Sequence, residues 1–263
     1  MQIQNNNFNL VLSGGGALGF AHMGVLEYLN ENVLEPKSLH GVSMGAIVAS
    51  VYALDLDFEK KMALFDEFFG IMKWLKISFG KGSVVSSDKI YKILDDVFKE
   101  MRFSDLSKEL HIIATNYDTG DATFFNTNNN IKIKDAVIAS MSIPSLFTPV
   151  KIDENYYVDG YLSENLPLST ISNTLPNLLV NVTGSQSFKH LSDDAAKDIS
   201  VVGNLERSVR ILMCNQAKTA LRTFSKPYLL LEPNVADFKT SHFHKMQEIK
   251  QVGYDEAKAK INV

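Results

Sequence analysis

A single cysteine, Cys214, stands in 263 residues, so no intrachain disulfide can form. Cys214 itself lies in a helical stretch and reads as a small apolar filler. No segment approaches the roughly 18 consecutive apolar residues that a spanning helix requires. The first ten residues hold neither the basic nor the apolar segment of a secretory leader. The expected setting is therefore cytoplasmic, in solution or in peripheral contact with a membrane. Positive charge is also scarce: 26 Lys and Arg stand against 30 Asp and Glu, a net charge of −4. Nucleic acid is thereby excluded as a partner, because its binding needs a basic surface that displaces counterions. Nowhere do His, Cys, Asp and Glu fall at the spacing of a metal site, so neither a metal nor an organic cofactor is expected. Nothing in the sequence bears on oligomeric state.

Apolar residues, by contrast, make up 45% of the chain, enough for a sizeable core. No repeat or linker divides it. One domain over residues 1–263 is expected, with a core at about 8–182 and C-terminal helices and a strand over 199–260 packed on that core. Residues 8–13 form a short apolar run that ends in three glycines, as a buried strand does. Helical spacing begins at Ala17 and stops before Pro36. Residues 39–42 read as a second strand, and the small residues from Gly45 open a second helix. Strand, glycine loop, helix, strand, tight turn and helix together predict a three-layer α/β/α sandwich around a mostly parallel sheet. Further strands are expected at 111–115, 178–182 and 228–231, and helices at 135–142, 199–224 and 246–260. Residues 122–125 and 131–133, flanking an asparagine-rich stretch, read as a hairpin.

Two glycine motifs carry chemistry. Gly41, Val42, Ser43, Met44 and Gly45 spell Gly-x-Ser-x-Gly. A serine nucleophile needs a sharp strand-to-helix turn that exposes its Oγ, and only small residues two before and two after allow that reversal. The second motif runs Gly14, Gly15, Gly16, Ala17, Leu18, Gly19. Its literal Gly-x-Gly-x-x-Gly pattern raises a dinucleotide site, but that site wants an acid ending the next strand, and Glu35 precedes that strand instead. Consecutive glycine N–H groups at a helix start fit an oxyanion hole better.

With two further stretches, these motifs resemble the patatin-like phospholipase family. Residues 139–144 match its Ala-Ser-x-x-x-Pro block, and Val158, Asp159 and Gly160 match its Asp-Gly motif. Order and spacing agree, and Gly253 and Tyr254 in a final helix resemble a common family ending. The resemblance implies a Ser43–Asp159 dyad that cleaves fatty-acyl esters of phospholipids or lysophospholipids, with lipid as the partner and no calcium. It also implies an oxyanion hole built from Gly14, Gly15, Gly16 and Met44, with Gly19, Gly41, Gly45 and Gly160 as supporting glycines. Because an ordinary aspartate is a feeble base at neutral pH, Asp159 is expected to be desolvated and its pKa raised. Two positions depart from the family: Leu18 stands where Arg or Lys is usual, and Tyr161 where a second small residue is usual.

Other readings stand beside this one. The same dyad serves an acyltransferase, and the same fold serves a non-catalytic lipid-binding protein. His242 and His244 follow Asp159 in the order of an α/β-hydrolase triad, although Ser43 comes earlier in the strand order than that fold places its nucleophile. His22, His40 and His111 read as locally partnered histidines. Residues 62–79 carry a broad aromatic face including Phe65, Phe69 and Trp74. That face is either a helix packed on the sheet or a cap that opens toward lipid.

Overall fold

The computed structural model describes residues 7–74, 88–144, 146–190, 192 and 199–262. Eight strands form one sheet: β1 (Asn9–Leu12), β2 (Ser38–Val42), β3 (Glu109–Asn116), β4 (Ala122–Phe125), β5 (Val150–Ile152), β6 (Asn155–Asp159), β7 (Asn177–Val180) and β8 (Tyr228–Leu231). β8, β7, β1, β2 and β3 run parallel in that order, while β4, β5 and β6 add antiparallel pairs at the β3 end. The described helices are α1 (Phe20–Glu31), α2 (Met44–Ala53), α3 (Phe58–Trp74), α4 (Asp88–Phe98), α5 (Ile133–Met141), α6 (Val201–Thr223) and α7 (Met246–Lys260).

Strand periodicity of two sends alternate side chains to opposite faces and so builds two cores. Leu10, Leu12, Leu39, Leu178 and Val180 pack on the face covered by α1, α2 and α7. Val11 and Leu179 point the other way, against Ala217 of α6 and the segment holding Leu166 and Leu168. The arrangement is the three-layer α/β/α sandwich around a mostly parallel sheet. α1 and α7 approach closely because Gly24 and Gly253 face each other's helix backbone, where any β-carbon would collide. No described helix is long and apolar enough to cross a membrane.

The hairpin expected between residues 122–125 and 131–133 is not formed. β4 folds back on β3 instead, through a turn in which the Asn116 side chain accepts from the N–H groups of Asp118 and Thr119. Residues 126–129 close on themselves, and Ile133 opens α5. The β5–β6 hairpin, absent from the sequence reading, turns at Asp153, which sits at φ 51°. The aromatic face of α3 proves to be mainly core. Phe65, Phe68 and Phe69 are buried, and Phe69 meets Phe20 edge-on at 4.8 Å. The side chain of Trp74 and residues 75–79, on which the cap reading turns, lie outside the described residues.

Candidate active site

β2 ends at Val42, and the chain reverses through Ser43 into α2. Ser43 adopts φ 54°, ψ −122°, a left-handed-side conformation that costs a non-glycine residue on the order of 1–3 kcal/mol. The turn tolerates only glycine on either side. A β-carbon on Gly41 would stand 2.5 Å from Gly45 O. One on Gly45 would strike Leu12 O of the neighbouring strand.

The position of Asp159 follows from register. Ile112 and Ile113 of β3 pair with β2 on one side and β4 on the other. Ala114 and Thr115 pair with β4 and with β6. Hence β6 takes over, on the same side of β3, where β2 turns away. Val42 pairs with Ile113, and Asp159 pairs with Ala114. The two chain ends are brought together, and Ser43 Oγ donates to Asp159 Oδ2 at 2.6 Å.

The end of α5 fixes both main chains. Ser140 Oγ accepts from Ser43 N–H at 2.9 Å and donates to Ile113 O at 2.6 Å. The N–H of Asp159 donates to Ser142 O at 2.9 Å. Both residues belong to the 139–144 block, whose role the sequence alone did not supply. Thr115 Oγ1 donates to Asp159 O, and Tyr161 N–H donates to Asp159 Oδ1 at 3.0 Å.

Asp159 is completely buried. Desolvation pushes its carboxyl up to about 7, against the lowering pull of the Ser43 hydroxyl and the Tyr161 N–H. The rise is in the direction the sequence led one to expect of Asp159. Ser43 is itself only 4% exposed, so the dyad is closed over in this structure. A cavity of about 580 Å³ does open, but at the far end of α2, lined by Leu54, Leu64, Phe68, Ile93 and Met101. A ten-residue helix is about 15 Å long, so this cavity is not the space around Ser43.

The glycine loop packs beside the turn. Gly14 N–H donates to Asn165 O at 3.1 Å, and Ala17 N–H to Thr240 O at 2.8 Å. Gly14 is thus tied down. Gly15 and Gly16, at φ 156° and 55°, lie between these two anchors. A β-carbon on Gly14 would stand 2.5 Å from Asn165 Oδ1 and 3.3 Å from Ser43 Cβ, so Asn165 belongs to the wall of the site. Its Nδ2 donates to Thr183 Oγ1 at 2.7 Å, and its Oδ1 is a buried acceptor with no partner among the described residues. Sequence reasoning missed Asn165, and it placed Ser140 in the 139–144 motif without a role. Gly19 packs against Met44, and Gly160 against Ile113 O and Val42. Leu18 is fully buried in the core, and Tyr161 is half-buried.

The histidines are otherwise engaged. His22 Nε2 contacts Ser13 O at 2.9 Å, and burial holds the ring down at about 4. His40 bridges Ser38 and Thr170 and stacks on His111 at 4.5 Å. His242 Nδ1 accepts from Lys239 N–H, and its ring leans on His244. The acceptor for the Ser43 hydroxyl is Asp159. Among the described residues, no group of three or more His, Cys, Asp or Glu could hold a metal ion.

Comparison with known proteins identifies the family and the fold. The profile of the patatin-like phospholipase family matches residues 10–171. An uncharacterized NTE family protein of Mycobacterium tuberculosis is 27% identical over 202 residues, covering 76% of this chain and 55% of the relative. Lysophospholipase NTE1 of Coccidioides immitis is 24% identical over 268 residues, covering 93% of this chain and 17% of the relative. The chain therefore spans about half the length, or less, of these curated relatives. Among solved structures, VipD from Legionella pneumophila superposes with a TM-score of 0.60 at 16% identity, covering 97% of this chain and 66% of that one. That likeness concerns the fold.

Proposed function

The chain belongs to the patatin-like phospholipase family, and from that premise we propose that it hydrolyses fatty-acyl esters of phospholipids or lysophospholipids through an acyl-Ser43 intermediate. The observation that carries the reading is the 2.6 Å hydrogen bond from the strained Ser43 to the buried Asp159. Asp159 accepts the hydroxyl proton while Oγ attacks the ester carbonyl. The N–H groups of Gly15, Gly16 and Met44 stabilise the oxyanion. Each such donor lowers the barrier by about 3 kcal/mol. Asp159 returns the proton to the departing alcohol, and the same carboxylate then activates the water that releases the fatty acid from Ser43.

A carboxylate with its pKa near neutrality suits both steps, since it is ionised enough to accept a proton and basic enough to hold it. The Tyr161 N–H on Oδ1 leaves Oδ2 aimed at Ser43. No metal enters the steps as written. The test is fatty-acid release from monoacyl and diacyl phospholipid in the presence of chelator. Release that is lost in Ser43→Ala supports the reading. Product that appears only when an acyl acceptor is added reassigns the same dyad to acyl transfer.

A further inference from the structure

α6 carries an unusual outward face. Its inward residues, Arg210, Met213, Cys214 and Ala217, are buried. The opposite stripe, at the spacing of one helix face, runs Val201, Leu205, Ser208, Leu212, Asn215, Thr219. Every residue in it is exposed and none is charged. Val201 is 86% exposed, and Leu205 and Leu212 are each 63% exposed, with Val202 and Ile211 open beside them. A helix that merely covers a sheet places charge on this face.

The charge it does have is of one sign. Arg207, Lys218 and Arg222 follow one another along a single flank of the stripe. The one acid of the helix, Glu206, is turned inward, where it holds Arg210 at 3.2 Å and accepts from Thr240 N–H. A basic flank on an apolar stripe, in a chain whose net charge is −4, complements an anionic surface. The other flank touches the catalytic loop. Gln216 donates to Leu162 O at 3.1 Å and accepts from Asn165 N–H at 3.2 Å. Leu162, three residues beyond Asp159, is 43% exposed and extends the apolar surface toward the dyad.

From these observations, and resting on the lipid hydrolase reading above, we propose that the outer face of α6 is the surface by which the protein settles on an anionic bilayer. At 23 residues the helix is about 34 Å long and lies in the interface plane, with Leu205 and Leu212 inserted and Arg207, Lys218 and Arg222 among the headgroups. Continuity with Leu162 favours a bilayer over a protein partner. A bilayer seated there presents acyl chains to the dyad, whereas a protein seated there covers the loop that holds it.

The test measures co-sedimentation of the full chain, in a Ser43→Ala background, with phosphatidylcholine vesicles with and without phosphatidylserine. Binding is expected to be about tenfold tighter to the anionic vesicles and to weaken with salt. Leu205→Ser/Leu212→Ser should lower it by about tenfold or more. In the Ser43 enzyme the same double variant should leave the melting temperature and hydrolysis of a soluble p-nitrophenyl ester unchanged. Vesicle binding equal in variant and parent overturns the proposal, as does a parent dimer that the variant dissociates without loss of vesicle affinity. The soluble-ester arm separates the two readings: hydrolysis without vesicle binding defeats only the docking surface, and vesicle binding without hydrolysis defeats the enzyme.

Discussion

Val42 and Asp159 occupy consecutive register positions along one side of β3, paired with Ile113 and Ala114. The separation of Ser43 from Asp159 is thus set by the ladder of a buried strand and not by loops. A strand in a sheet core is among the most rigid elements available, which is what a hydrogen-bonded base and nucleophile require.

The first consequence is a pH dependence. With the Asp159 carboxyl near 7, the base form is lost as pH falls through that value. The kcat/KM for a soluble ester should fall about tenfold per pH unit on the acid side. A profile that stays flat down to pH 4 contradicts the assignment of the base.

Stability should show the same titration with the opposite benefit. The folded state raises the carboxyl pKa, so folding favours the protonated form, and the wild type loses stability as pH rises from about 4 to about 7. Asp159→Asn mimics the neutral carboxyl. Urea unfolding should find it more stable than wild type at pH 8, by on the order of 2–4 kcal/mol, with the advantage gone below pH 4. An advantage that is constant with pH would show that Asp159 is not the group titrating.

Ser43 stores strain that glycine would relieve. Ser43→Gly should therefore be more stable than Ser43→Ala, by about 1 kcal/mol after the larger unfolded-state entropy of glycine is set against the relief. Both variants should be inactive. The reverse order of melting temperatures would mean that the turn is not strained.

Ser140 joins the Ser43 N–H to a strand carbonyl left open where β2 departs. Removing its hydroxyl leaves two buried backbone groups unpaired, at about 1–3 kcal/mol each. Ser140→Ala should lose kcat with KM little changed, because the turn carrying Oγ and the Met44 N–H is no longer pinned. A loss confined to KM would place Ser140 in substrate contact instead.

Much of this was legible in the sequence where local pattern and local structure coincide. The run before Gly14 and the run before Ser43 are strands because apolar continuity and flanking glycines leave little choice. α7 coincides with the helix expected at 246–260. The raised pKa of Asp159 followed from the chemistry required of it. What escaped depended on contacts distant in sequence. β4 pairs with the preceding strand and not with the segment after it, a choice settled by the Asn116 turn. Ser140 reaches across 97 positions to Ser43 and Asn165 lies against Gly14, and no local periodicity encodes either meeting. The aromatic breadth of α3 was legible, but its destination was the core: Phe69 is buried against Phe20.

The central claim is that Ser43 and Asp159 act as a two-residue unit. Its most direct test treats wild type, Ser43→Ala, Asp159→Asn and His242→Ala/His244→Ala with a fluorophosphonate probe and then with a soluble p-nitrophenyl acyl ester. The account predicts labelling of wild type abolished by Ser43→Ala, hydrolysis lost by about 10²-fold or more in Asp159→Asn, and a histidine variant that matches wild type. An active Asp159→Asn beside an inactive histidine variant would contradict it.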